Sequence, residues 1–277
     1  MLAADLAYLA QLLKRRTGIA INPLKTSQIA MRLTPVARRF GFRNTDELLR
    51  ELADARESMI RPVIEAMTTN DTWFFRDRSP FEQFREIILP DLLSRRARSK
   101  KLRIWCAAAS TGQEAYTLAM LLHEAGLAKE GWTIELVATD ISSECIARAK
   151  EGLYTSFEVQ RGLNIKRLIA HFTQEDDRWR ISDSLRRTVK FRTFNLLDDY
   201  GAFGEMDIIF CRNVLLYFEP QTKTRVLDRL ADTLAPDGYL VVGTAELHHE
   251  ASSAFEPVPE NRGLYIKPEA EYRYAVL

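Results

Sequence analysis

The sequence predicts an α/β fold, a mostly parallel and doubly wound sheet, preceded by an all-helical N-terminal domain. Two observations support this prediction. Residues 1–76 place apolar residues at helical spacing and show no alternating strand pattern, whereas short buried strands alternate with helices from Lys101 onward. Strands that alternate with helices form parallel sheets, because each helix returns the chain to the same end of the sheet. With 277 residues, the chain has room for one large or two modest domains.

The N-terminal domain, residues 1–76, is expected to contain four helices. Leucines at helical spacing mark the first helix, and stop, cap and first-turn residues mark the others. These signals are the leucines Leu6, Leu9 and Leu13 before a stop at Gly18, a helical run from about Lys25 to Phe40, a cap at Asn44 or Thr45, and a first-turn proline at Pro62.

A linker helix is expected at residues 77–100, between the two domains. It is predicted to begin at a capping Ser79 with Pro80 in its first turn, and Glu82 lies three residues after the cap. The aromatic run Trp73–Phe75 precedes it. Because buried aromatic rings supply much of the contact between packed units, we expect this run mainly to pack the two domains together.

The C-terminal domain, residues 101–277, is expected to alternate strands and helices. A helix over Pro220–Leu234 is expected to end in a turn at Pro236–Gly238. The polar segment at about residues 163–190 does not fit a crossover helix and predicts a small inserted β-subdomain. The predicted strands of the main sheet are Arg103–Cys106, Thr133–Thr139, Thr188–Phe194, Met206–Cys211, Tyr239–Gly243 and Gly263–Lys267.

Charge and cysteine content exclude several classes of protein. The net charge of +1 gives no global field for nucleic acid, but residues 1–50 carry nine Lys or Arg against three acids, a local +6 that leaves −5 elsewhere. A basic module suits an acidic partner surface, with a solvated helix face as the alternative. The three cysteines show no paired spacing, so neither a disulfide framework nor a metal site is expected. Without a signal peptide or an 18-residue apolar run, the chain is predicted to be cytoplasmic, with no membrane insertion.

The stretch Lys101–Glu114, KLRIWCAAASTGQE, joins a short buried strand to a helix through small residues. Such a turn is the first unit of a nucleotide-type pocket, because missing side chains let a ligand approach the backbone. Gly112 is the only glycine in this stretch, so the stretch does not contain the dinucleotide-binding pattern GxGxxG. An ordinary strand-to-helix turn is the alternative interpretation.

Asp140 ends the second predicted strand, at the sheet edge where parallel sheets bind ligands. A carboxylate there can accept hydrogen bonds from both hydroxyls of a ribose, although it could instead cap the helix that begins near Ser142. Asn195–Leu196 and Arg212–Asn213 follow later strands and fall at the same edge. These residues predict a nucleoside-bearing ligand and do not choose among NAD, a nucleotide and S-adenosylmethionine.

Four ordered motifs make the chain resemble the CheR family, the chemotaxis receptor glutamate methyltransferases. The resemblance covers nearly the whole chain, including the helical module. It implies a Rossmann-like, S-adenosylmethionine-binding methyltransferase domain behind an all-helical domain. The motifs are TTNDTWFFRD beginning at Thr68, AAASTGQEAY at Ala107–Tyr116, ATDIS at Ala138–Ser142 and FCRNVLLYF at Phe210–Phe218.

The resemblance also implies which residues form the site. Tyr217 matches the family position near the methyl group and the incoming carboxylate, and Arg76 matches one that reaches from the helical module onto bound S-adenosylmethionine. Both are expected to be catalytic by orienting the carboxylate; the alternatives are a salt bridge between the modules for Arg76 and a sheet-packing aromatic for Tyr217. No metal is implied. Contacts with S-adenosylmethionine, and with its product S-adenosylhomocysteine, are implied for Asn70, Thr72, Arg76, Glu114, Asp140, Asn195, Leu196, Cys211 and Arg212.

The implied reaction methylates glutamate side chains on the cytoplasmic helices of methyl-accepting chemotaxis receptors, and no nucleic acid takes part. An ionised glutamate, with a pKa of about 4.3, is already a nucleophile at neutral pH, so no general base is required. Catalysis would then consist of alignment and exclusion of water. The histidines, which lie outside all four motifs, are expected to be structural or on the surface: His123, His171, His248 and His249.

The sequence departs from the family pattern in two places. Gln113-Glu114-Ala115 stands where the family has Glu-Glu-Pro, so the contact of Glu114 is kept and that of the first glutamate is absent. The segment Ala170–Arg192 lacks the glycine-bearing loop of members that dock on a receptor's C-terminal pentapeptide. No such tether is therefore expected.

Two other classes of function are open to the sequence. A methyltransferase acting on RNA or a small molecule would place a basic face beside the pocket instead of on a remote helical module. A non-catalytic module would bind S-adenosylmethionine and signal to a partner. The presence of Asn70, Arg76 and Tyr217 together argues against an inactive domain.

Overall fold

The N-terminal part of the chain is a bundle of helices that share one apolar core. The computed structural model describes residues 2–244, 246 and 253–270. Leucines from three helices, among them Leu9, Leu33 and Leu48, are fully buried in this core. The bundle therefore forms because each helix has one leucine-rich face. The helices are α1 (Ala3–Thr17), α2 (Thr26–Arg39), α3 (Thr45–Glu51) and α4 (Glu57–Met67).

Two of the predicted helix ends are confirmed. Gly18 follows α1 in the left-handed conformation, with φ +76°, and its N–H bonds to the carbonyl of Lys14. Asn44 caps α3, because its side-chain oxygen accepts a hydrogen bond from the backbone N–H of Glu47 at 3.0 Å. Local capping chemistry thus sets these boundaries.

Two other predictions about helix starts are wrong in part: the position of Pro62 in its helix and the capping role of Ser79, although the linker helix does begin at Ser79 with Pro80 in its first turn. Pro62 lies inside α4, which begins five residues earlier at Glu57. Pro62 is the sixth residue of this helix, so the helix lacks one regular hydrogen bond, to the carbonyl of Ser58. Ser79 is already helical, Arg78 stands at the capping position, and no side chain caps this end.

The segment that links the bundle to the sheet is one continuous helical run with a π-turn in it. It consists of α5 (Ser79–Gln83), a π-helical turn at Phe84–Ile88 and α6 (Leu89–Arg95). The N–H of Leu89 bonds to the carbonyl of Phe84, five residues back. The π-turn stands directly before Pro90, whose ring cannot fit behind a regular helical turn.

The C-terminal part contains one large sheet and one small sheet. Helices connect the strands and cover both faces of the large sheet. The strands are β1 (Lys101–Ala107), β2 (Thr133–Asp140), β3 (Leu153–Thr155), β4 (Phe172–Glu175), β5 (Arg178–Ile181), β6 (Val189–Thr193), β7 (Met206–Cys211), β8 (Leu234–Val242), β9 (Glu256–Pro257) and β10 (Leu264–Ile266). The helices are α7 (Gln113–Glu124), α8 (Ser143–Glu151), α9 (Ser156–Gln160), α10 (Ile165–His171), α11 (Asp183–Thr188) and α12 (Pro220–Thr233).

The large sheet confirms the predicted fold class. Its strand order is β6-β2-β1-β7-β8-β10-β9. The strands from β6 to β8 pair in parallel, whereas β10 and β9 are antiparallel additions at one edge. In β1, Ile104 and Cys106 face one apolar core while Trp105 and Ala107 face the other. Because both faces of the strand are buried here, the residues from Ile104 to Ala107 are apolar without interruption.

The predicted turn at Pro236–Gly238 is wrong, because these residues lie within β8. The partner of Met206 is Leu234 and the partner of Ile208 is Tyr239, so the register shifts between these two pairs. The extra residues form an irregularity in the strand. Proline and glycine are tolerated at such points because ladder hydrogen bonds are missing there.

The small sheet has the strand order β3-β5-β4 and is antiparallel. Its first strand begins at Leu153, before the segment that the sequence marked as inserted. Tyr154 of β3 is buried against the ring of Phe74, with ring centroids 5.1 Å apart. The small sheet therefore packs on the aromatic run that leads into the linker helix. Among the described residues, no helix has the length and apolar character that a membrane span requires.

Candidate functional site

A cleft of about 810 Å³, partly open to solvent, lies between the helical bundle and the carboxyl ends of the parallel strands. The cleft is lined by three groups of residues. They are Thr17, Ile19 and residues 68–72 with Arg76 from the helical part; Ala108, Ser110, Glu114, Asp140 and Ile141 from the first half of the sheet; and residues 194–196, 212–214, Tyr217 and Phe218 from the second half.

The turn after β1 forms the floor of the cleft. Ala108, Ser110 and Gly112 adopt positive φ values of +60°, +50° and +95°. Left-handed residues in alternation expose the backbone to the cleft, and only small side chains leave room for a ligand there. A Cβ atom at Gly112 would lie 2.9 Å from the Cβ of Ala149, so this position also needs glycine for helix packing.

Asp140 lies beside this turn and is buried. Its two carboxylate oxygens accept one backbone hydrogen bond each, from the N–H of Ser110 at 2.8 Å and of Ser142 at 2.9 Å. Burial raises the pKa of Asp140, and these hydrogen bonds partly oppose that rise. The side chain of Ser142 caps α8, so Asp140 is not the cap, and each oxygen keeps a lone pair for a ligand hydroxyl.

A buried ion pair stands where α7 begins. Arg212 has no exposed side-chain surface, and its guanidinium donates to Glu114 and to Asp77. It also donates to the backbone carbonyl of Arg76 at 3.1 Å. This one side chain therefore joins the segment after β7 to α7 and to the aromatic segment before the linker helix.

Arg76 lies against the ring of Trp73. Its guanidinium carbon is 4.4 Å from the ring centroid, and that of Arg161 is 3.8 Å from the same ring, so two cations contact one indole. The Nη1 group of Arg76 donates to the carbonyl of Asp71 at 2.7 Å. Its Nε group is buried and has no hydrogen-bond partner among the described residues. The cleft therefore contains a buried cationic donor with unused capacity.

The residues 213–217, here called the Tyr217 loop, form the far wall of the cleft. Asn213 is left-handed with φ +60°, and a short 3₁₀ turn ends at Tyr217. The helical domain supports the end of this loop, because the N–H of Ala20 donates to the carbonyl of Tyr217 at 2.8 Å. Ile19 forms a β-bridge with Phe218. A connection between two helices of the bundle is thus part of the cleft wall.

The cleft brings together nine of the ten residues predicted for the site. Cys211 is the exception, because its side chain is fully buried in the sheet core and does not line the cleft. The next residue but one, Asn213, lines it instead. The side-chain amide of Asn195 donates to the carbonyl of Arg16 at 2.6 Å, so this residue also fastens the helical domain.

Sequence reasoning did not find the contributions of Thr17, Ile19, Ser110 and Phe194 to the cleft. Ser110 carried a usable signal, since it lies in the small-residue turn. Thr17 and Ile19 carried none, because they are local neighbours of the helix stop at Gly18 and approach the sheet only in the folded chain. Among the residues that line the cleft, none is histidine.

These features define a class of protein, an α/β enzyme that holds a nucleoside-bearing cofactor at the edge of its sheet. The chain belongs to the CheR methyltransferase family. Residues 70–264 match the family model described as CheR methyltransferase, SAM binding domain, and residues 4–68 match the one described as CheR methyltransferase, all-alpha domain. The chain is therefore an S-adenosylmethionine-dependent methyltransferase, as the motifs predicted.

Several relatives match over most of their length. A chemotaxis protein methyltransferase of Vibrio anguillarum is 37% identical over 262 residues, which are 93% of this chain and 94% of the relative. Chemotaxis protein methyltransferase 1 of Pseudomonas aeruginosa is 35% identical over 95% of this chain and 97% of its own. Chemotaxis protein methyltransferase Cher2 of Pseudomonas putida is 37% identical over 84% and 86%.

The residues present fit S-adenosylmethionine. The left-handed turn at Ala108 and Ser110 leaves space beside the backbone, and both oxygens of Asp140 can accept from ribose hydroxyls. Arg76 lines the cleft and supplies a positive charge for a carboxylate.

Proposed function

We propose that this methyltransferase esterifies glutamate side chains on the cytoplasmic helices of methyl-accepting chemotaxis receptors, giving glutamate methyl esters. The observation that carries the proposal is that Arg76 and Tyr217 line the same cleft, with no histidine among the described residues that line it. A carboxylate is the acceptor that such a site suits, since it needs orientation and no removal of a proton.

The floor of the cleft is assigned to the cofactor. Asp140 accepts hydrogen bonds from the ribose hydroxyls, and Asn195 and Leu196 line the cleft on the second half of the sheet, where the base is placed. Asn70, Thr72 and Glu114 lie on the opposite side, which leaves the amino-acid portion of the cofactor to them. Bound S-adenosylmethionine supplies an electrophilic methyl group on a sulfonium.

Arg76 and Tyr217 are assigned to the acceptor. Arg76 has a cationic donor without a partner, and Tyr217 brings a hydroxyl to the wall supported by the helical domain. Both can donate to a carboxylate and turn one of its oxygens toward the reacting carbon. Arg212 has no exposed side-chain surface and its charge is paired with Glu114 and Asp77, so we do not assign it to the acceptor.

The charge around the cleft argues against a nucleic-acid substrate. Two surface grooves share residues with the cleft, and each contains arginines from the basic N-terminal module. In each groove the arginines and the acids are equal in number. One groove, for example, has Arg15, Arg16 and Arg61 beside Glu57, Glu65 and Asp198. A phosphate backbone is bound by an unbroken basic face. Grooves with equal numbers of positive and negative side chains are better suited to a protein surface, which carries charges of both signs.

The cellular context belongs to the same proposal. The enzyme is placed in the cytoplasm, where the modified receptor helices lie. The basic N-terminal module is assigned to electrostatic attraction of acidic receptor helices, with exposed Arg15, Lys25, Arg38 and Arg39 as its charges. We propose no pentapeptide tether, since the inserted segment lacks the glycine-bearing loop.

The test is transfer of a tritiated methyl group from S-adenosylmethionine to receptor-containing membranes from cells that lack a methyltransferase. We expect label in the receptor band that alkali releases as methanol, because carboxylate esters hydrolyse in base. Total RNA and a metabolite extract serve as competing acceptors in parallel reactions. Label in either of these, or none anywhere despite binding of S-adenosylhomocysteine by calorimetry, would contradict the proposal. NAD should not bind in the same calorimeter.

A further inference from the structure

Glu246 has a buried carboxylate that no sequence motif singled out. It is 2% exposed and lies just after β8, outside the residues that line the cleft. One oxygen, Oε2, accepts hydrogen bonds from the backbone N–H of Asn213 at 2.5 Å and of Gly243 at 2.7 Å. The other, Oε1, faces the N–H of Leu216 at 3.4 Å. This carboxylate therefore joins the end of β8 to both ends of the turn before Tyr217.

The Tyr217 loop needs such support. Asn213 stands in the left-handed region, which asparagine adopts more readily than most residues, and the ladder of β7 has already ended at Cys211, so no strand pairing holds the turn that follows. A charged acceptor is the strongest partner that a backbone N–H can have within a protein. The bond to Glu246 therefore supplies the free energy that keeps this N–H, and the turn that follows it, in one orientation.

Other contacts fix Glu246 itself. The ammonium of Lys223, on α12, donates to the backbone carbonyl of Glu246 at 3.1 Å. A Cβ atom at Gly243 would lie 2.5 Å from Oε2, so the carboxylate can approach this backbone only because the residue is glycine. The position of the carboxylate is thus set by a glycine three residues earlier in the same segment and by a lysine on α12.

We infer that Glu246 is a positioning residue for methyl transfer: its carboxylate holds the Tyr217 loop so that Tyr217 meets the acceptor carboxylate. Glu246 touches neither cofactor nor acceptor. Its carboxylate supports one side of the loop, and the hydrogen bond from the N–H of Ala20 to the carbonyl of Tyr217 supports the other. The inference deepens the proposed function and rests on it for the identity of the acceptor.

The test compares Glu246→Gln with Glu256→Gln, which removes the same charge from an exposed position on β9. The amide of Glu246→Gln keeps the shape but turns an –NH₂ group toward backbone N–H donors. We expect kcat for receptor methylation to fall about tenfold or more, with the Kd of S-adenosylhomocysteine within about threefold of the native value. Glu256→Gln should match the native enzyme in both.

Two further measurements keep the inference falsifiable. Gly243→Ala pushes the carboxylate away without removing any polar group, so it should reproduce the loss of kcat. Hydrogen exchange needs no acceptor. In both variants a peptide spanning residues 206–218 should exchange faster, whereas one spanning 101–112 should not change.

The outcomes separate the two proposals. A native enzyme that labels no receptor, yet binds S-adenosylhomocysteine, contradicts the proposed function, and the exchange experiment still tests the support of the loop. Unchanged exchange in Glu246→Gln, or a kcat within twofold of native, overturns the positioning role. A parallel loss of kcat and cofactor affinity would overturn it too, because it would show a general structural effect.

Discussion

The two ends of the parallel sheet use arginine in opposite ways. Near the amino ends of the strands, Arg96 donates to Asp207 and Asp237 at 2.6–2.8 Å. Arg103 donates to Glu135 and to two backbone carbonyls. Every donor of these groups that the fold buries is directed at an acceptor, and this end of the molecule is closed.

The carboxyl ends leave such capacity unused. The Nε groups of Arg76 and Arg212 are buried without partners among the described residues. Left-handed residues collect here too, at Ala108, Ser110 and Asn213. Unsatisfied donors and strained backbone cost stability, and they persist where a ligand supplies the missing interactions. The difference indicates that one end of the sheet stabilises the fold and the other is kept ready for binding.

The substitution with the largest expected effect is Arg76→Ala, which tests whether the carboxyl ends of the strands are built for binding. If Arg76 orients the acceptor, transfer should fall by at least about 100-fold, a loss typical of a positioned charged donor, while the Kd of S-adenosylhomocysteine changes less than about threefold. Tritium transfer and calorimetry measure the two effects. Arg85→Ala, at an exposed position paired only with Glu86, is the control. A large loss of cofactor affinity would assign Arg76 to the cofactor instead.

Asp140→Asn tests the floor of the cleft. The amide cannot accept from two backbone N–H groups and two hydroxyls together, so the affinity for S-adenosylhomocysteine should fall about 30-fold. Because burial raises the pKa of Asp140, native affinity should also decrease as the pH falls, and should do so at a higher pH than for an ordinary aspartate. Calorimetry across pH measures both effects.

The control for the floor is Asp228→Asn, on the exposed face of α12. It should bind S-adenosylhomocysteine as the native enzyme does at every pH. Equal affinities for the Asp140 and Asp228 variants would remove the ribose role from Asp140.

The substitution Arg96→Met tests how much the arginine ion pairs near the amino ends of the strands contribute to stability. It leaves Asp207 partly buried without its cation and leaves Asp237 only the longer contact with Arg95 at 3.7 Å, so the free energy of unfolding should fall by about 1.5 kcal/mol. The hydrogen bond from Arg96 lowers the pKa of Asp237. Its stabilisation is therefore present above about pH 4 and is lost as the pH falls through that lowered pKa, so native and variant curves should converge in acid. Urea unfolding at several pH values measures this.

Arg98→Met, at a nearby exposed position, should leave stability unchanged. Cofactor affinity of folded Arg96→Met should equal that of the native enzyme. A change in affinity would show that the two ends of the sheet are coupled, and the comparison would fail.

The smallest expected effect concerns the basic N-terminal module. If its exposed charges attract acidic receptor helices, kcat/KM should fall about threefold between 50 and 300 mM salt while kcat stays constant. Initial methylation rates at several receptor concentrations measure this. A rate that does not respond to salt would count against electrostatic attraction.

Sequence signals succeeded where their physical cause is local. The parallel strands of the large sheet, the small-residue turn after β1, the stop at Gly18 and the cap at Asn44 depend on residues close in the chain and were predicted, whereas β3, β4 and β9 were not. Ser79 and Pro62 were misplaced because proline and serine are compatible with several positions of a helix end. The register shift in β8 was taken for a turn for the same reason.

The pairings across the cleft had no local signal. Glu246 lies 33 residues from the N–H of Asn213, and Glu65 accepts from both the N–H and the hydroxyl of Ser143 across the domain boundary. The sequence shows that these two glutamates are present but does not show which N–H groups donate to them. The inclusion of Ile19 in the cleft wall likewise follows only from its bridge to Phe218.

The sequence by itself determined the fold class, the family and the segments that meet at the sheet edge, because hydrophobic periodicity and short motifs are properties of neighbouring residues. Only the tertiary structure decided which donors remain unpaired, which backbone is held in the left-handed region, and that Glu246 supports the Tyr217 loop. These depend on hydrogen bonds between segments far apart in the chain, and the free energy of such bonds is set by burial, which a sequence does not display.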